Sequence, residues 1–253
     1  MKKHLLSLLV LPALALTSCG KGGELKQEEA KERAEEISET SSKPQKNYEI
    51  KLSTVSTSGK DKKKSTLEYV LKANEDNEVY FTMKGESGGE KYDVSMYVAK
   101  NEEYEEVTYF KTYNSSKKEY ESTAVVKKGN LLYAVTTEAY QAYALVPSGM
   151  YAGYTDPVDL MGDAEEEDNV KYYSTGEGNL TIEVKETQEA DGEEETMVEA
   201  LTSVTFDKGL LKSVSIKGKS SLGNTSSMTF TCSYPSSKVK VSLPSNWKDA
   251  LSE

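Results

Sequence analysis

Beyond Pro44 the chain alternates apolar and polar residues for most of its length. Tyr48, Ile50 and Leu52 share one parity and Glu49, Lys51 and Ser53 the other. Leu67, Tyr69 and Leu71 repeat the pattern, as do Val79, Phe81 and Met83, and then Tyr92, Val94, Met96 and Val98. The stretches between them are polar and turn-like: Ser58-Gly59-Lys60-Asp61, Asn74-Glu75-Asp76-Asn77 and Gly85-Glu86-Ser87-Gly88-Gly89. Alternation at this spacing predicts antiparallel strands with one buried face. Tyr104–Tyr113 and Tyr120–Lys127 continue the series. Lys127-Lys128-Gly129-Asn130 predicts a hairpin between Thr123–Val126 and Leu131–Val135, and Gln141–Val146 offers one more strand. From Val170 the alternation resumes through Leu180, Ile182 and Val184, a charged turn at Gln188–Glu195, and then Val198, Ala200, Val204 and Phe206. Leu210–Lys217, Met228–Tyr234 and Val239–Leu243 complete the expected strands, and Ser245–Leu251 forms a short turn or helix around Trp247. Met228, Phe230, Cys232 and Tyr234 share a parity, which makes Cys232 a buried, inert thiol.

Two segments break this rhythm. Residues 24–43 are rich in Glu, Lys and Ala and predict a helix stopped at Ser41-Ser42-Lys43-Pro44. Its apolar stripe is thin: Ala30, Ala34 and Ile37. Two readings stay open, a solvated spacer and a helix packed on the sheet. Residues 147–168 form an apolar insertion. Asp156 as N-cap and Pro157 at the first helical position predict a helix from Pro157 to Glu166. This insertion reads either as a lid over the open face of the sheet or as an ordinary crossover. As a lid it would bring Met150, Tyr151, Tyr154, Val158, Leu160 and Met161 to a hydrophobic ligand.

The first residues have a different organisation. Lys2 and Lys3 precede the apolar run Leu5–Leu16, which has signal-peptide length and is too short to span a bilayer as a helix. Leu16-Thr17-Ser18-Cys19 resembles the bacterial lipobox at all four places. The expectation is that residues 1–18 are removed, that Cys19 carries a diacylglyceryl thioether, and that residues 19–23 are a tether. The protein is then a lipid-anchored, extracytoplasmic one at a cell membrane or envelope surface. Two or three acyl chains make such an anchor durable, at ~0.8 kcal/mol per buried methylene.

Charge and composition narrow the function. The net charge is −11, and removing residues 1–18 takes away Lys2 and Lys3 and no acid, which makes it −13. Such a chain is repelled by phosphate backbones, so no nucleic-acid partner is expected. The only histidine is His4, inside the segment to be removed. The mature chain then has no Ser–His or Cys–His pair and no imidazole ligand, which argues against a hydrolase, and no metal or cofactor is expected. The only cysteines are Cys19 and Cys232. With Cys19 lipidated no intrachain disulfide is available, and the fold must rest on its core. The seventeen tyrosines suit half-exposed strands better than a sugar platform. The acidic run Glu165-Glu-Glu-Asp168 lacks the oxygen spacing of an ordered calcium loop. Ser115-Ser-Lys-Lys118 matches Ser-x-x-Lys by chance in a polar turn.

Residues Val198–Pro244 carry a family resemblance. The run Val-Thr-Phe-Asp-Lys-Gly-Leu-Leu-Lys-Ser-Val-Ser-Ile, the turn at Gly223-Asn224-Thr225, then Met-Thr-Phe-Thr-Cys-Ser-Tyr and Val-Ser-Leu-Pro resemble the closing hairpins of the LolA/LppX-like carriers. The resemblance implies an unclosed antiparallel half-barrel curved around helices, with acyl chains held in the hollow. The expected architecture is therefore α+β, mainly β: a meander over residues 44–253, an N-terminal helix and one inserted helix. The expected function is a non-enzymatic binding or carrier protein for a hydrophobic ligand. The alternative is a surface interaction module, an adhesin or envelope scaffold that meets another envelope protein.

Overall fold

The computed structural model describes residues 22–41, 43, 45–127, 155–164, 169–190 and 196–251. A short strand β1 (Gly23–Leu25) leads into helix α1 (Gln27–Ser41). Six long strands follow: β2 (Tyr48–Thr57), β3 (Lys64–Ala73), β4 (Val79–Ser87), β5 (Glu90–Ala99), β6 (Glu106–Asn114) and β7 (Glu119–Lys127). Helix α2 (Pro157–Ala164) precedes β8 (Val170–Ser174), β9 (Leu180–Ala190), β10 (Thr196–Asp207), β11 (Leu210–Ser220) and β12 (Thr225–Ser233). A 3-10 turn at Trp247–Ala250 ends the described chain.

All twelve strands among the described residues form one unclosed antiparallel sheet, ordered β1-β8-β9-β10-β11-β12-β2-β3-β4-β5-β6-β7. Two meanders are thus joined at a seam where β12 pairs with β2, from Ser233↔Glu49 to Thr225↔Thr57. The architecture is the expected half-barrel with one N-terminal and one inserted helix. The hairpin across Lys127–Asn130, the strand at Gln141–Val146 and the acidic run from Glu165 lie outside the described residues.

Register makes the inner face continuous. Phe230 stands opposite Leu52, which opposes Tyr69, and Leu71 opposes Phe81, which opposes Met96. On the other side Phe230 opposes Val214, which opposes Val204 and then Ile182. These residues form one core cluster. Helix α1 adds Ala30, Ala34 and Ile37, all at most 1% exposed. The helix is therefore packed on the sheet and is not a solvated spacer. Its stripe is thin because alanine lets the helix axis come close to the strands. It makes its closest contacts with α2, β8, β9 and β11.

The helix starts later than residue 24 because Glu24 and Leu25 pair with Tyr173 and Tyr172. Lys26 then acts as N-cap: its amide donates to the Glu29 carboxylate (3.1 Å) and its carbonyl accepts from Ala30 N (2.9 Å). Helix α2 starts as the sequence predicts. Asp156 Oδ1 accepts from Val158 N (2.9 Å), and Asp156 Oδ2 accepts from Ser38 of α1 (3.1 Å), so one carboxylate caps one helix and docks it to the other.

Two other expectations are corrected. Gln188, Glu189 and Ala190 belong to β9 rather than to a turn, because they pair with Val198, Met197 and Thr196. Val239–Leu243 is not a strand. Its hydrogen bonds go to side chains instead: Val239 N donates to Asn47 Oδ1 (3.2 Å), and Val239 O accepts from Asn74 Nδ2 (2.9 Å). This segment is a strap running from β12 past the β3–β4 turn, where Lys238 hydrogen-bonds Asp76 and pairs with Glu78 at 3.1 Å. It ends on the outer face of β5–β7. There Trp247 meets Tyr104 edge-on (6.1 Å) and packs with Val107, Tyr109 and Ala124. Leu251 bridges Ala124 in parallel.

Candidate functional site

The sheet has two distinct ends. One, the tether end, carries Gly22, where Gly23 pairs with Ser174, together with the β8–β9 and β10–β11 turns. Those turns lock together through Gly209 N donating to Gly178 O (2.8 Å). At the other, the mouth end, the β2–β3 and β11–β12 turns are joined by Gly59 N donating to Asn224 Oδ1 (2.8 Å). Since β2 is 10 residues long, the ends stand about 33 Å apart.

The inner face changes character between them in layers. Nearer the tether end Phe81, Phe206, Phe230, Ile50 and Val214 are almost fully buried, while Tyr48, Val79 and Tyr234 beyond them are half-buried. One step toward the mouth on the same parity, Leu67, Ile216, Met228 and Val184 are only half-buried. Register aligns them, Met228 opposing Ile216 and Thr54, and Thr54 opposing Leu67. One more step replaces every apolar side chain on these four strands: Ser56 opposes Ser65 and Ser226, and Ser226 opposes Gly218. The apolar interior thus meets solvent across a small polar rim.

That rim lines a pocket of about 510 Å³ bounded by the ends of β2, β3, β10, β11 and β12. Lys63 and Lys219 flank it without an ion pair among the described residues, Lys219 directly opposite Glu199 of β10. The walls are held by short-range bonds: Ser58 Oγ accepts from Asp61 N (3.4 Å), and Ser220 Oγ accepts from Asn224 N (3.2 Å).

The residues expected to face a ligand are dispersed. Met161 is 2% exposed and belongs to the main core, Leu160 is half-buried against it, and Val158 is 42% exposed to solvent. Within α2, then, Met161 and Leu160 dock the helix while Val158 faces away. Met150, Tyr151, Tyr154 and Cys19 lie outside the described residues. The polar mouth pocket was missed because its serines and glycine come from strands distant in sequence. The available signal was that the apolar parity of β2, β3, β11 and β12 ends in Ser or Gly.

Cys232 is buried as expected. Desolvation pushes its thiol up to about 12, against a lowering hydrogen bond with Tyr234. On the outer face burial raises Tyr97 to about 12 as well, helped by Tyr80 and Tyr109. No helix among the described residues is long and apolar enough to cross a membrane.

No family model matches the chain, and no curated protein matches it. The chain has a distant likeness to the crystal structure of a DUF1329 family protein from Desulfovibrio piger. The identity is 9% and the TM-score 0.25, over 83% of this chain and 93% of the other.

Proposed function

We propose that this protein is a membrane-anchored, extracytoplasmic lipoprotein, lipidated at Cys19, that binds or carries a hydrophobic ligand without catalysing a reaction. The observation that carries the reading is the graded inner face. Its layer of Leu67, Ile216, Met228 and Val184 stays half-buried toward the mouth end among the described residues. Contiguous, partly exposed apolar side chains in a concave setting beside polar groups are the usual make-up of a small-molecule site. The lipobox and the likeness of Val198–Pro244 to LolA/LppX-like carriers support the same reading. The filled layers of Phe81, Phe206 and Phe230 limit the ligand to the mouth half of the interior.

Two experiments test it. Replacing Cys19 with alanine abolishes acyl labelling and membrane retention; unchanged fractionation refutes the anchor. Mass spectrometry of the full-length protein, exchanged out of native membrane into detergent, detects a co-purifying amphiphile beyond the covalent lipid. Its absence, together with specific crosslinks to an envelope protein, favours the second reading, a surface interaction module. The exposed rings of Tyr92 and Tyr120, each 44% exposed, are the observation on that side.

A further inference from the structure

We propose that the mouth pocket is a subsite for an anionic, phosphate-class headgroup, with the apolar part of the same molecule lying on the half-buried layer below it. This rests on the carrier reading above and adds the chemistry of the ligand's polar end. The pocket holds about 510 Å³, room for a headgroup rather than for an acyl chain and headgroup together. Its location is set by the layering of the inner face. Ser56, Ser65, Ser226 and Gly218 stand one alternation step beyond Thr54, Leu67, Met228 and Ile216 on the same four strands. A molecule whose apolar end occupies that lower layer has its polar end here.

Charge selects the class of headgroup. The chain as a whole is strongly acidic, yet Lys63 and Lys219 flank this pocket with no ion pair among the described residues. Some lysines elsewhere are paired, Lys100 and Lys238 with Asp76, Lys117 with Glu121 and Lys248 with Glu103, whereas the β2–β3 turn beside the pocket adds Lys60 and Lys62, also without an ion pair among the described residues. An ammonium is a strong point-charge partner for a phosphate oxygen, and hydroxyl donors complete its coordination. The hydroxyls of Ser56 and Ser226 make no bond to another described residue, whereas Ser58 and Ser220 are occupied in holding the turns. The floor is kept open by Gly218, where an added Cβ would stand 2.8 Å from Ser226 Oγ. The pocket also stands at the end opposite Gly22, so the headgroup faces away from the tether.

The test uses the full-length protein in nanodiscs of zwitterionic lipid, with empty discs as the blank. Three probes are titrated: dihexanoyl phosphatidylglycerol below its micellar concentration, uncharged dihexanoylglycerol, and inorganic phosphate. The phosphatidylglycerol is expected to bind, and the double variant Lys63→Gln, Lys219→Gln to weaken it about tenfold or more while leaving dihexanoylglycerol unchanged. Gly218→Val, which fills the floor, should weaken phosphatidylglycerol without touching either lysine. Equal binding of both lipids, indifferent to all these changes, overturns the headgroup subsite and leaves the carrier reading intact. Lysine-dependent binding of inorganic phosphate with no affinity for either lipid supports an anion site and overturns the carrier reading. No binding of any probe overturns both.

Discussion

Gly209 shows how much one residue can carry in this sheet. It sits at φ +74° in the β10–β11 turn, donates to Gly178 O, and faces Thr40 near the end of α1. A Cβ there would stand 2.9 Å from Thr40 Cβ, on a backbone that L-residues avoid. Gly209→Ala should therefore destabilise the fold by about 1–3 kcal/mol and loosen α1, read as a lower urea midpoint and faster amide exchange near residue 40. Gly88→Ala, also at positive φ but with nothing nearby, is the control that carries backbone strain alone. Cys232 gives a pH prediction. Its folded pKa is raised from 9.0 to about 12, so the unfolded thiol ionises first. The stability this group contributes is complete below about pH 9 and is lost as pH rises toward 12. Tyr97 adds a loss of the same sign between 10.0 and about 12. Urea midpoints should fall between pH 8 and pH 10.5, and less in Cys232→Ala; parallel declines in both proteins would contradict this. The burial of Cys232 was legible from parity alone. The strain at Gly209 was not, since Asp207-Lys208-Gly209 reads as a turn whatever lies against it.

At the scale of elements, the strap after β12 departs most from what alternation predicts. Val239–Leu243 has the composition of a strand but pairs with none, and Asn74 and Asn47 bond its backbone at Val239 instead. Asn74 is 4% exposed; its side-chain oxygen accepts from Asp76 N (3.0 Å) and Glu78 N (3.2 Å) while its amide serves the strap. Asn74→Ala should cost about 1–3 kcal/mol through the groups it leaves unpaired. Around it the carboxyls are held low. Asp76 is lowered by the Lys238 hydrogen bond and the charge of Lys100, and Glu78 by Asn74 and Lys238 against an opposing effect of burial. Trp247→Ala should cost about 3–5 kcal/mol by emptying the outer-face cluster with Tyr104 and Tyr109. As the sole tryptophan, Trp247 also reports its own undocking: a red shift of emission before the main transition would show the strap opening independently. That cluster was hidden in the sequence because β5 and β6 are apolar on both parities, Met96 and Phe110 facing in while Tyr97 and Tyr109 face out. Only the strap explains the second face. Helix α2 was legible through Asp156-Pro157 because capping is local. The docking of α1 was not, because two alanines and an isoleucine suit a spacer as well as a close-packed helix.

On the scale of the whole molecule, the proposed anchor at Cys19 carries an orientation with it. Gly22 stands three steps along the chain from Cys19, a reach of about 10 Å. With Cys19 lipidated, the β8–β9 turn lies at the membrane and the mouth faces outward. Fluorophores on Glu177→Cys and Leu222→Cys should then be quenched unequally by a lipid-borne quencher, strongly at 177 and weakly at 222. Equal quenching would contradict the orientation. The strands themselves could be read from alternation, but their order could not, because nothing local in Ile50 or Cys232 says that they face each other across the sheet. That seam has a consequence for how the protein is made. Strand β2 is among the first to leave the ribosome and its partner β12 the last, so β2 waits with an open row of amides and carbonyls for nearly the whole of synthesis. Two chains side by side each present an unpaired β2, which the β12 of either chain can fill as it emerges. Exchange of β12 between neighbours, giving an entangled dimer of otherwise native halves, is the misassembly to which this topology is most exposed.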